Sequence, residues 1–309
     1  MDAILNSFET VLPLFLVILT GAIFSRTGAA SHNWVEVLNK YALCIGFPAL
    51  VVYSLMQLEG QIQNFLSLIL LNSAYLIACM ALVYFLAMLF PLKSKMKQSL
   101  FLIIPFGNIA YLGIPVLENT YGQGILPVAA ILSAVYVFWM LTLALVLVEI
   151  NGNSSIDIKK MTFSLLKNPL LISVFIGIAI VVFKIPVPKV AVQTIKLFSQ
   201  SVTAVVLFSL GIFIGLQKIG NTLEWAQVVL ISTTSMIIIP ALLYLALRFA
   251  NLPPEELKAS VIDAAMPLGL TPYALSVQYQ LEIKLFARVV VFGTLISVVV
   301  IPLWIFILG

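Results

Sequence analysis

Long apolar stretches fill most of this 309-residue chain, and short polar or charged connections separate them. Such stretches are typical of membrane-spanning helices, because roughly 20 apolar residues are needed to cross the hydrocarbon core of a bilayer. The pattern predicts ten spanning segments, at residues 9–25, 36–56, 63–90, 97–118, 125–149, 168–184, 190–217, 223–249, 257–280 and 284–308. We therefore expect an all-α, polytopic membrane protein.

The longest polar interval, residues 151–167, divides the ten segments into two groups of five. We interpret residues 1–150 as a first five-helix repeat, residues 151–167 as a connecting loop, and residues 168–309 as a second five-helix repeat. Because each repeat crosses the membrane an odd number of times, the second would enter from the opposite side. The two repeats are thus predicted to be inverted, as in many transporters.

Matched residues in the two halves support this division. Three pairs of segments share residues at the same spacing: Pro13 and Gly21 with Pro169 and Gly177; Ala49 and Ser54 with Ala204 and Ser209; and Pro105, Gly107 and Tyr111 with Pro267, Gly269 and Tyr273. The offsets, 156, 155 and 162 residues, are nearly equal and occur in chain order. Three such matches are hard to obtain by chance and indicate an internal repeat.

The composition excludes a soluble globular protein. Hydrophobic residues make up 62% of the chain and charged residues 9%, with a mean hydropathy of +1.16, whereas about 25% of residues are charged in soluble proteins. No P-loop, HExxH or GxSxG motif occurs, so neither an ATP-driven pump nor a familiar intramembrane hydrolase is supported. We expect no enzyme activity, no resident cofactor and no metal site.

The basic residues, which give a net charge of +4 and a pI near 9.0, are interpreted as markers of topology rather than of nucleic-acid binding. Eleven of the sixteen fall at connections that follow odd-numbered segments, and five follow even-numbered ones. The positive-inside rule then places the odd connections, including residues 151–167, in the cytoplasm and both termini on the non-cytoplasmic side of the cell membrane. Residues 9–25 are expected to be a retained helix, since no basic residue precedes them.

Segments four and nine carry the residues that point to a binding site. Each places proline and glycine in the middle of an apolar stretch: Pro105, Gly107, Gly113 and Pro115 in one, and Pro267, Gly269 and Pro272 in the other. Proline removes a backbone donor and glycine weakens a helix, so both helices are expected to break. Paired interrupted helices in matching repeat positions indicate a transport site, where helix N-termini favour a carboxylate. Ordinary proline kinks are the alternative.

The predicted substrate-binding residues surround these two breaks. Asn108, Tyr111 and Tyr273 offer an amide and two phenols, which can hydrogen-bond a carboxylate without the cost of a buried charge. The backbone around the breaks completes the set, with Gly107, Pro115, Pro267, Gly269 and Pro272. Alternatively, Asn108 caps freed backbone groups and the tyrosines only pack.

Asp263 is the first candidate for binding a coupling ion, H⁺ or Na⁺. An acidic residue within a membrane segment is costly, and a functional role is its default interpretation. An acid at the start of a helix near the membrane interface is the alternative. Gln200 and Gln278 are further candidates, although polar contacts between helices would also explain them.

Several motifs resemble those of the auxin efflux carrier family. They are residues 108–115 (NIAYLGIP), residues 265–272 (AMPLGLTP) and residues 207–211 (LFSLG), and their order and spacing along the chain make the match specific. The resemblance implies ten helices in two inverted repeats, a scaffold and a transport domain, crossing fourth and ninth helices, and elevator-like carriage of organic anions. It places the family's crossover asparagine on Asn108.

The chain also departs from the plant carriers of that family. They have a glutamine after the proline of the ninth helix and an acid in the seventh, where this chain has Leu268 and Gln200, and they have a long central loop. These differences favour a prokaryotic-type member with a substrate other than auxin.

The sequence thus predicts a secondary carrier of a small organic acid, working by alternating access in the lipid bilayer. A carboxylate sensor that does not transport, and an auxin-like uniporter, are the alternatives. A channel is less favoured, because the polar residues cluster at the breaks instead of lining a continuous path. The sequence leaves open whether the protein assembles as a homodimer.

Overall fold

The computed structural model describes residues 2–57, 65–152, 158–217 and 225–309, and these ranges form α-helices with short π and 3₁₀ turns and no strand. The first eight α-helices are α1 (Asp2–Arg26), α2 (His32–Tyr41), α3 (Phe47–Met56), α4 (Leu66–Leu89), α5 (Ser94–Ile103), α6 (Ile114–Tyr121), α7 (Leu126–Trp139) and α8 (Leu145–Asn151). The remaining eight are α9 (Ile158–Leu166), α10 (Pro169–Val182), α11 (Lys189–Leu216), α12 (Trp225–Thr233), α13 (Ile239–Leu247), α14 (Pro254–Ala264), α15 (Leu270–Gln278) and α16 (Ile283–Leu308).

Short π turns join several of these helices end to end. Three of them, Ala42–Gly46, Ile109–Gly113 and Thr234–Ile238, directly precede a helix with a proline in its second position. Proline cannot donate to the preceding turn and its ring clashes with the carbonyl there, so the wider π turn accommodates it. The proline therefore alters the helix locally without ending the span.

Seven stretches of helix in the described ranges are long and apolar enough to cross a membrane: Leu5–Arg26, His32–Met56, Leu66–Leu89, Gln123–Asn151, Lys189–Leu216, Trp225–Leu247 and Ile283–Leu308. Each coincides with one of the ten predicted segments. The apolar helix α10 is shorter, at 14 residues. The prediction of a helical, multi-pass membrane protein is thus confirmed, while the number ten stays a prediction.

The predicted connecting loop between the halves contains a helix. Residues 158–166 form α9, since the stretch contains neither glycine nor proline to stop a helix. Residues 153–157 of that loop, and the predicted segment ends at 63–64 and 223–224, lie outside the described residues.

Helices α1 and α11 make the most extensive contact between helices in the described structure. Glycines permit this closeness: a Cβ added to Gly21 would overlap the Phe208 carbonyl oxygen, and one added to Gly211 would overlap that of Ile18. Small residues of this kind let two membrane helices approach, so that dispersion contacts hold them together. Helices α2 and α3 pack against α11, and α10 packs against α3. We call these five helices, α1, α2, α3, α10 and α11, the α1–α11 group.

The remaining helices surround the segments that sequence analysis singled out. Helix α14 contacts α7, α13 and α16, while α5 packs on α4 and α8. The surface is apolar over large areas, with Phe175, Leu197 and Phe249 exposed by 72%, 70% and 91%. Exposure of such a large apolar surface to water is unfavourable, whereas the hydrocarbon core of a bilayer is itself apolar.

Candidate functional site

Predicted segments four and nine meet through their backbones. In segment four, α5 ends at Ile103 and helical structure resumes at Ile109. In segment nine, α14 ends at Ala264 and α15 begins at Leu270. The residues in between, 104–108 and 265–269, are not helical and lie against each other. We call this contact the crossing.

One backbone hydrogen bond and one antiparallel bridge hold the crossing together. The backbone N–H of Asn108 donates to the Pro267 carbonyl oxygen at 2.6 Å, and the backbone of Gly107 pairs with that of Leu268. Proline supplies an acceptor but no donor, so Pro267 suits this position. Each interruption thereby satisfies part of the backbone that the other leaves unpaired, which an apolar environment requires.

The two glycines at the crossing lie in close contact with the opposite segment. A Cβ on Gly107 would lie 2.6 Å from the Met266 carbonyl oxygen, which is backbone and cannot rotate away. A Cβ on Gly269 would lie 3.2 Å from both Cα and Oδ1 of Asn108, a tight contact that small shifts would relieve. Position 107 therefore needs glycine for space, even though neither residue has a positive φ.

Two helical N-termini begin at the crossing. Asn108 is the residue before the π turn that leads into α6, and Gly269 is the residue before α15. The first N–H groups of a helix lack partners within that helix and carry partial positive charge. The crossing therefore presents two sources of positive potential close to the Asn108 side chain, without any cationic residue.

Asn108 has donor capacity to spare. Its side chain is 3% exposed, and no hydrogen-bond acceptor for Nδ2 is found in the described part of the structure. The alternative role, a side-chain cap on freed backbone, is not seen, since the side chain accepts no bond from the π turn. Instead its backbone carbonyl accepts from the amides of Leu112 and Gly113, both at 3.0 Å. A buried amide without an acceptor is costly, and an anion would provide one.

A small cavity of about 40 Å³ adjoins Asn108. Its lining includes Tyr111, Gly269 and Pro272, which the sequence predicted for the site, and Tyr136 and Thr271, which it did not. Ligand pockets usually measure about 300–1,000 Å³, so this one has room for only a few water molecules. In the conformation described here, the cavity is too small for a substrate such as malate.

Asp263 lies in the last turn of α14, not at its start, and is completely buried. Neither carboxylate oxygen has a hydrogen-bond partner in the described part of the structure. A Cβ on Gly113 would lie 2.5 Å from Asp263 Oδ1, so the carboxylate packs against the π turn that follows Asn108. Tyr136 of α7 is near enough to interact with it electrostatically.

The other predicted residues fall into two sets. Tyr111 and Tyr273 pack edge-to-face on Phe47 and Phe213, with ring centroids 5.3 and 4.9 Å apart. The structure thus places them beside the crossing mainly in aromatic contacts. Pro115, Pro267 and Pro272 are buried near the two interruptions. Gln200 and Gln278 are exposed on α11 and α15, and neither is brought to Asp263.

Tyr136 is the residue that sequence reasoning missed. It is 2% exposed and lies in α7, a predominantly apolar helix whose sequence gives no sign of a polar role at this position. The structure places it at the cavity beside Asn108 and close to Asp263. A tyrosine well inside a predominantly apolar segment was the available signal.

The chain matches the family described as membrane transport protein over residues 6–305. This chain belongs to that family. It is a family of membrane transporters rather than of enzymes.

Relatives in the membrane transport protein family come from archaea, bacteria and plants. An uncharacterized transporter of Methanocaldococcus jannaschii is 24% identical over 306 residues, covering 96% of this chain and 97% of that protein. The uncharacterized transporter YfdV of Escherichia coli is 22% identical over 306 residues, covering 96% of each. Auxin efflux carrier component 7 of Arabidopsis thaliana is 29% identical over 154 residues, which are 47% of this chain and 24% of the plant protein.

The resemblance to the auxin efflux carriers is thus confirmed, with a prokaryotic type of organisation. The prokaryotic relatives match this chain from end to end, whereas it spans only about a quarter of the plant carrier's length.

The contact between Gly113 and Asp263 can be tested by a double-mutant cycle. Gly113→Ala is expected to lower the free energy of unfolding by about 1–3 kcal/mol, the usual cost of overpacking, because the new methyl meets Asp263 Oδ1. In an Asp263→Ala background the same substitution should cost at least about 1 kcal/mol less. Denaturant unfolding of the four proteins in detergent measures both values.

Gly124→Ala is the matched control, because nothing lies within 4 Å of a Cβ at that position. It should change stability by less than about 0.5 kcal/mol, as surface substitutions usually do. Equal costs of Gly113→Ala in the two backgrounds would contradict the contact.

Proposed function

We propose that the chain is a secondary transporter of small organic anions, which binds a carboxylate at the crossing and exposes it alternately to the two sides of the membrane. The main support is that two helical N-termini converge on the side-chain amide of Asn108, which is buried and has no acceptor for Nδ2 in the described structure. The membership in a transporter family agrees with this. Neutral donors and helix ends can stabilise an anion without a buried cation that would need neutralising when the site is empty.

The same proposal includes ten membrane crossings in two inverted repeats, residues 1–150 and 168–309. Predicted segments 97–118 and 257–280 would each cross as one interrupted span, adding two to the seven long stretches and α10. The repeat-matched glycines Gly107 and Gly269 support this, since both lie at the contact between the interruptions. A pseudo-twofold relation between the halves would bring such equivalent residues together near the midplane.

Alternating access would involve movement of one set of helices against another. The cavity at Asn108 measures only about 40 Å³, so an acid such as malate cannot be accommodated without rearrangement. The α1–α11 group is a candidate for the static part, because backbone contacts at Gly21 and Gly211 lock its two longest helices together. An elevator-like shift of the helices that carry the crossing would then open the site to one side at a time.

Asp263 is the proposed coupling residue. An ionised carboxylate that is fully buried and without partners is strongly disfavoured, so it should be protonated or hold a cation when the site is closed. Both H⁺ and Na⁺ satisfy this requirement. Through Gly113, Asp263 touches the π turn that begins after Asn108, which provides a short path between ion and substrate. Gln200 and Gln278 are too exposed to form part of this ion site.

A uniporter is the coupling alternative. With both termini outside, as the basic residues predict, export of a monoanion from a negative-inside cell would be favoured by roughly 2.3 kcal/mol per 100 mV. No ion would then be required for efflux, and Asp263 would have a structural role.

Uptake and counterflow in proteoliposomes test the proposed function directly. The substrates are labelled malate, malonate, succinate, lactate and indole-3-acetate, with and without imposed pH, Na⁺ and voltage gradients. We expect saturable flux and counterflow of at least one acid. Binding of an acid without any flux would contradict the proposal and favour a sensor, and flux that does not saturate would favour a channel.

Replacement of Asn108 should weaken substrate binding. Asn108→Ala is expected to raise the Kd for the transported acid at least tenfold, about 1.4 kcal/mol, because the anion loses its amide donor. Asn108→Asp should weaken binding further through like-charge repulsion. Isothermal titration of the purified proteins gives the affinities, with Asn33→Ala, an exposed asparagine near the start of α2, as the control. Unchanged affinity in Asn108→Ala would remove this residue from the site.

Asp263→Asn should separate coupling from exchange. The amide cannot carry the proton or balance the charge of Na⁺, so ion-driven uptake should be lost while exchange of acid for acid is partly retained. Uptake under pH and Na⁺ gradients, compared with counterflow, measures both. The control is Glu255→Gln, an exposed acid on the same helix. Wild-type dependence on pH and Na⁺ in Asp263→Asn would assign Asp263 to structure alone.

A further inference from the structure

Helix α14 buries three polar side chains on one face. Glu256, Ser260 and Asp263 follow one another at spacings of four and three residues, which places them along the same side of the helix. All three are buried. The proposed function uses only the last of them, so the other two need a separate explanation. We call Glu256, Ser260 and Asp263 the α14 polar face.

We propose that the α14 polar face is the route by which a coupling proton reaches Asp263 from the end of the bundle where α14 begins. Glu256 takes up the proton at that end. Ser260, together with Asn72 of α4, lines the middle of the route, and the Asp263 carboxylate receives the proton. Glu256 is left ionised until it takes up another proton from solution. This inference rests on the proposed coupling role of Asp263, and it adds the identity of the ion and the side from which it comes.

Asn72 connects the middle of the route to a second helix. Its buried side chain donates through Nδ2 to Ser260 Oγ at 2.9 Å and to the Leu68 carbonyl oxygen at 3.0 Å. Ser260 Oγ in turn donates to the Glu256 carbonyl oxygen at 2.8 Å. A polar contact between helices would explain Nδ2 of Asn72 but not its Oδ1, for which the described structure shows no donor. A buried acceptor without a donor is costly, and a proton that moves along the route would supply one.

Both ends of the route are acids with buried oxygens that lack hydrogen-bond partners in the described ranges. These atoms are Oε2 of Glu256 and both carboxylate oxygens of Asp263. Burial without a partner strongly disfavours the ionised form of a carboxylic acid, and protonation removes the charge. Acidic and polar side chains in series within membrane segments are typical of proton relays. The two acids can therefore hold a proton in turn.

The neighbours of the two acids leave them without a compensating cation. The titratable groups that interact with Asp263, directly or through the first of them, are phenols and a thiol: Tyr136 of α7, then Tyr75 and Cys79 of α4. Near Glu256, the ammonium of Lys258 lies 5.7 Å from the centroid of the Tyr121 ring. No basic side chain pairs with either acid in the part of the chain that the structure describes. A proton can supply the missing charge.

The tight packing of the route favours a proton over a sodium ion. Asn72, Ser260 and Asp263 are each 0% exposed, so no water-sized space adjoins their side chains. A proton moves between groups that come within hydrogen-bond reach, directly or through one water molecule. A sodium ion, by contrast, needs open space along the whole route.

The direction of α14 gives the route a side. Pro253, Pro254 and Glu255 at its start are exposed, and Glu256 follows them directly. Asp263 lies seven residues beyond Glu256, about 10 Å farther along the helix axis at 1.5 Å per residue. The positive-inside pattern predicts that the connection before α14 is non-cytoplasmic. The proton would thus enter from outside the cell, and a proton gradient directed inward would drive uptake of the acid.

Proton exchange at Asp263 tests the route without any substrate. Infrared spectroscopy of the full chain in detergent follows the C=O band of protonated carboxyl groups after transfer from H₂O to D₂O, and Asp263→Asn identifies the band of Asp263. We expect Glu256→Gln to slow the exchange of that band at least tenfold, whereas the control Glu255→Gln, an exposed acid on the same helix, should exchange like the wild type. Unchanged exchange in Glu256→Gln would overturn the proposal. So would a spectrum in which Asp263→Asn removes no such band.

A second variant probes the middle of the route. Ser260→Ala removes the hydroxyl between the two acids and should slow the exchange at Asp263 at least threefold. The matched control is Ser173→Ala, because Ser173 is equally buried, lies on α10 and donates to a backbone carbonyl oxygen in the same way. An equal effect of both substitutions would show a general loosening of the bundle and contradict the route.

Transport separates failure of the route from failure of the proposed function. In proteoliposomes, Glu256→Gln should lower uptake driven by a pH gradient at least tenfold and retain exchange of acid for acid. Wild-type uptake in Glu256→Gln would overturn the route and leave the carrier intact, and so would uptake in the wild type that only a Na⁺ gradient drives. Lack of any flux in the wild type would contradict the carrier instead, and the infrared measurement would still decide on the route.

Discussion

Backbone groups that leave a helix within a membrane need partners, because lipid offers no hydrogen bonds. In this chain two interruptions meet this need for each other. The backbone N–H of Asn108 donates to the Pro267 carbonyl oxygen, and the backbone of Gly107 pairs with that of Leu268. A Cβ at position 107 would overlap the Met266 carbonyl oxygen, and one at position 269 would press on Asn108. This contact positions both helical N-termini, the Asn108 side chain and, through Gly113, the carboxylate of Asp263.

Two buried side chains at the crossing have polar atoms without a hydrogen-bond partner in the described structure. These atoms are the Asn108 Nδ2 and both oxygens of Asp263, and they are among several such atoms in the core of the bundle. One is a donor without an acceptor and the others are acceptors without a donor, and they lie on the two sides of the same π turn. Burying a donor without an acceptor, or an acceptor without a donor, costs free energy unless a ligand supplies the missing partner. An anion beside Asn108 and a proton or cation at Asp263 would do so, and this complementarity underlies the proposed coupling.

The bundle also separates rigid contacts from yielding ones. Glycines between α1 and α11 bring backbone atoms of the two helices into direct contact. By contrast, a pocket of about 640 Å³ lies where α1 and α11 end and α16 begins, so side chains do not fill that region.

The sequence by itself determined the environment and the family of this protein. Hydropathy requires a bilayer, the seven long stretches confirm a multi-pass helical chain, and the motifs around Asn108 and Pro267 identified relatives that the family match confirms. It also placed proline and glycine where the helices end, because those residues act locally on the backbone. The position of Tyr136 beside Asn108 and the exposure of Gln200 depended on the tertiary structure. These features join residues that are far apart in the chain, and hydrophobic periodicity carries no information about which helices become neighbours.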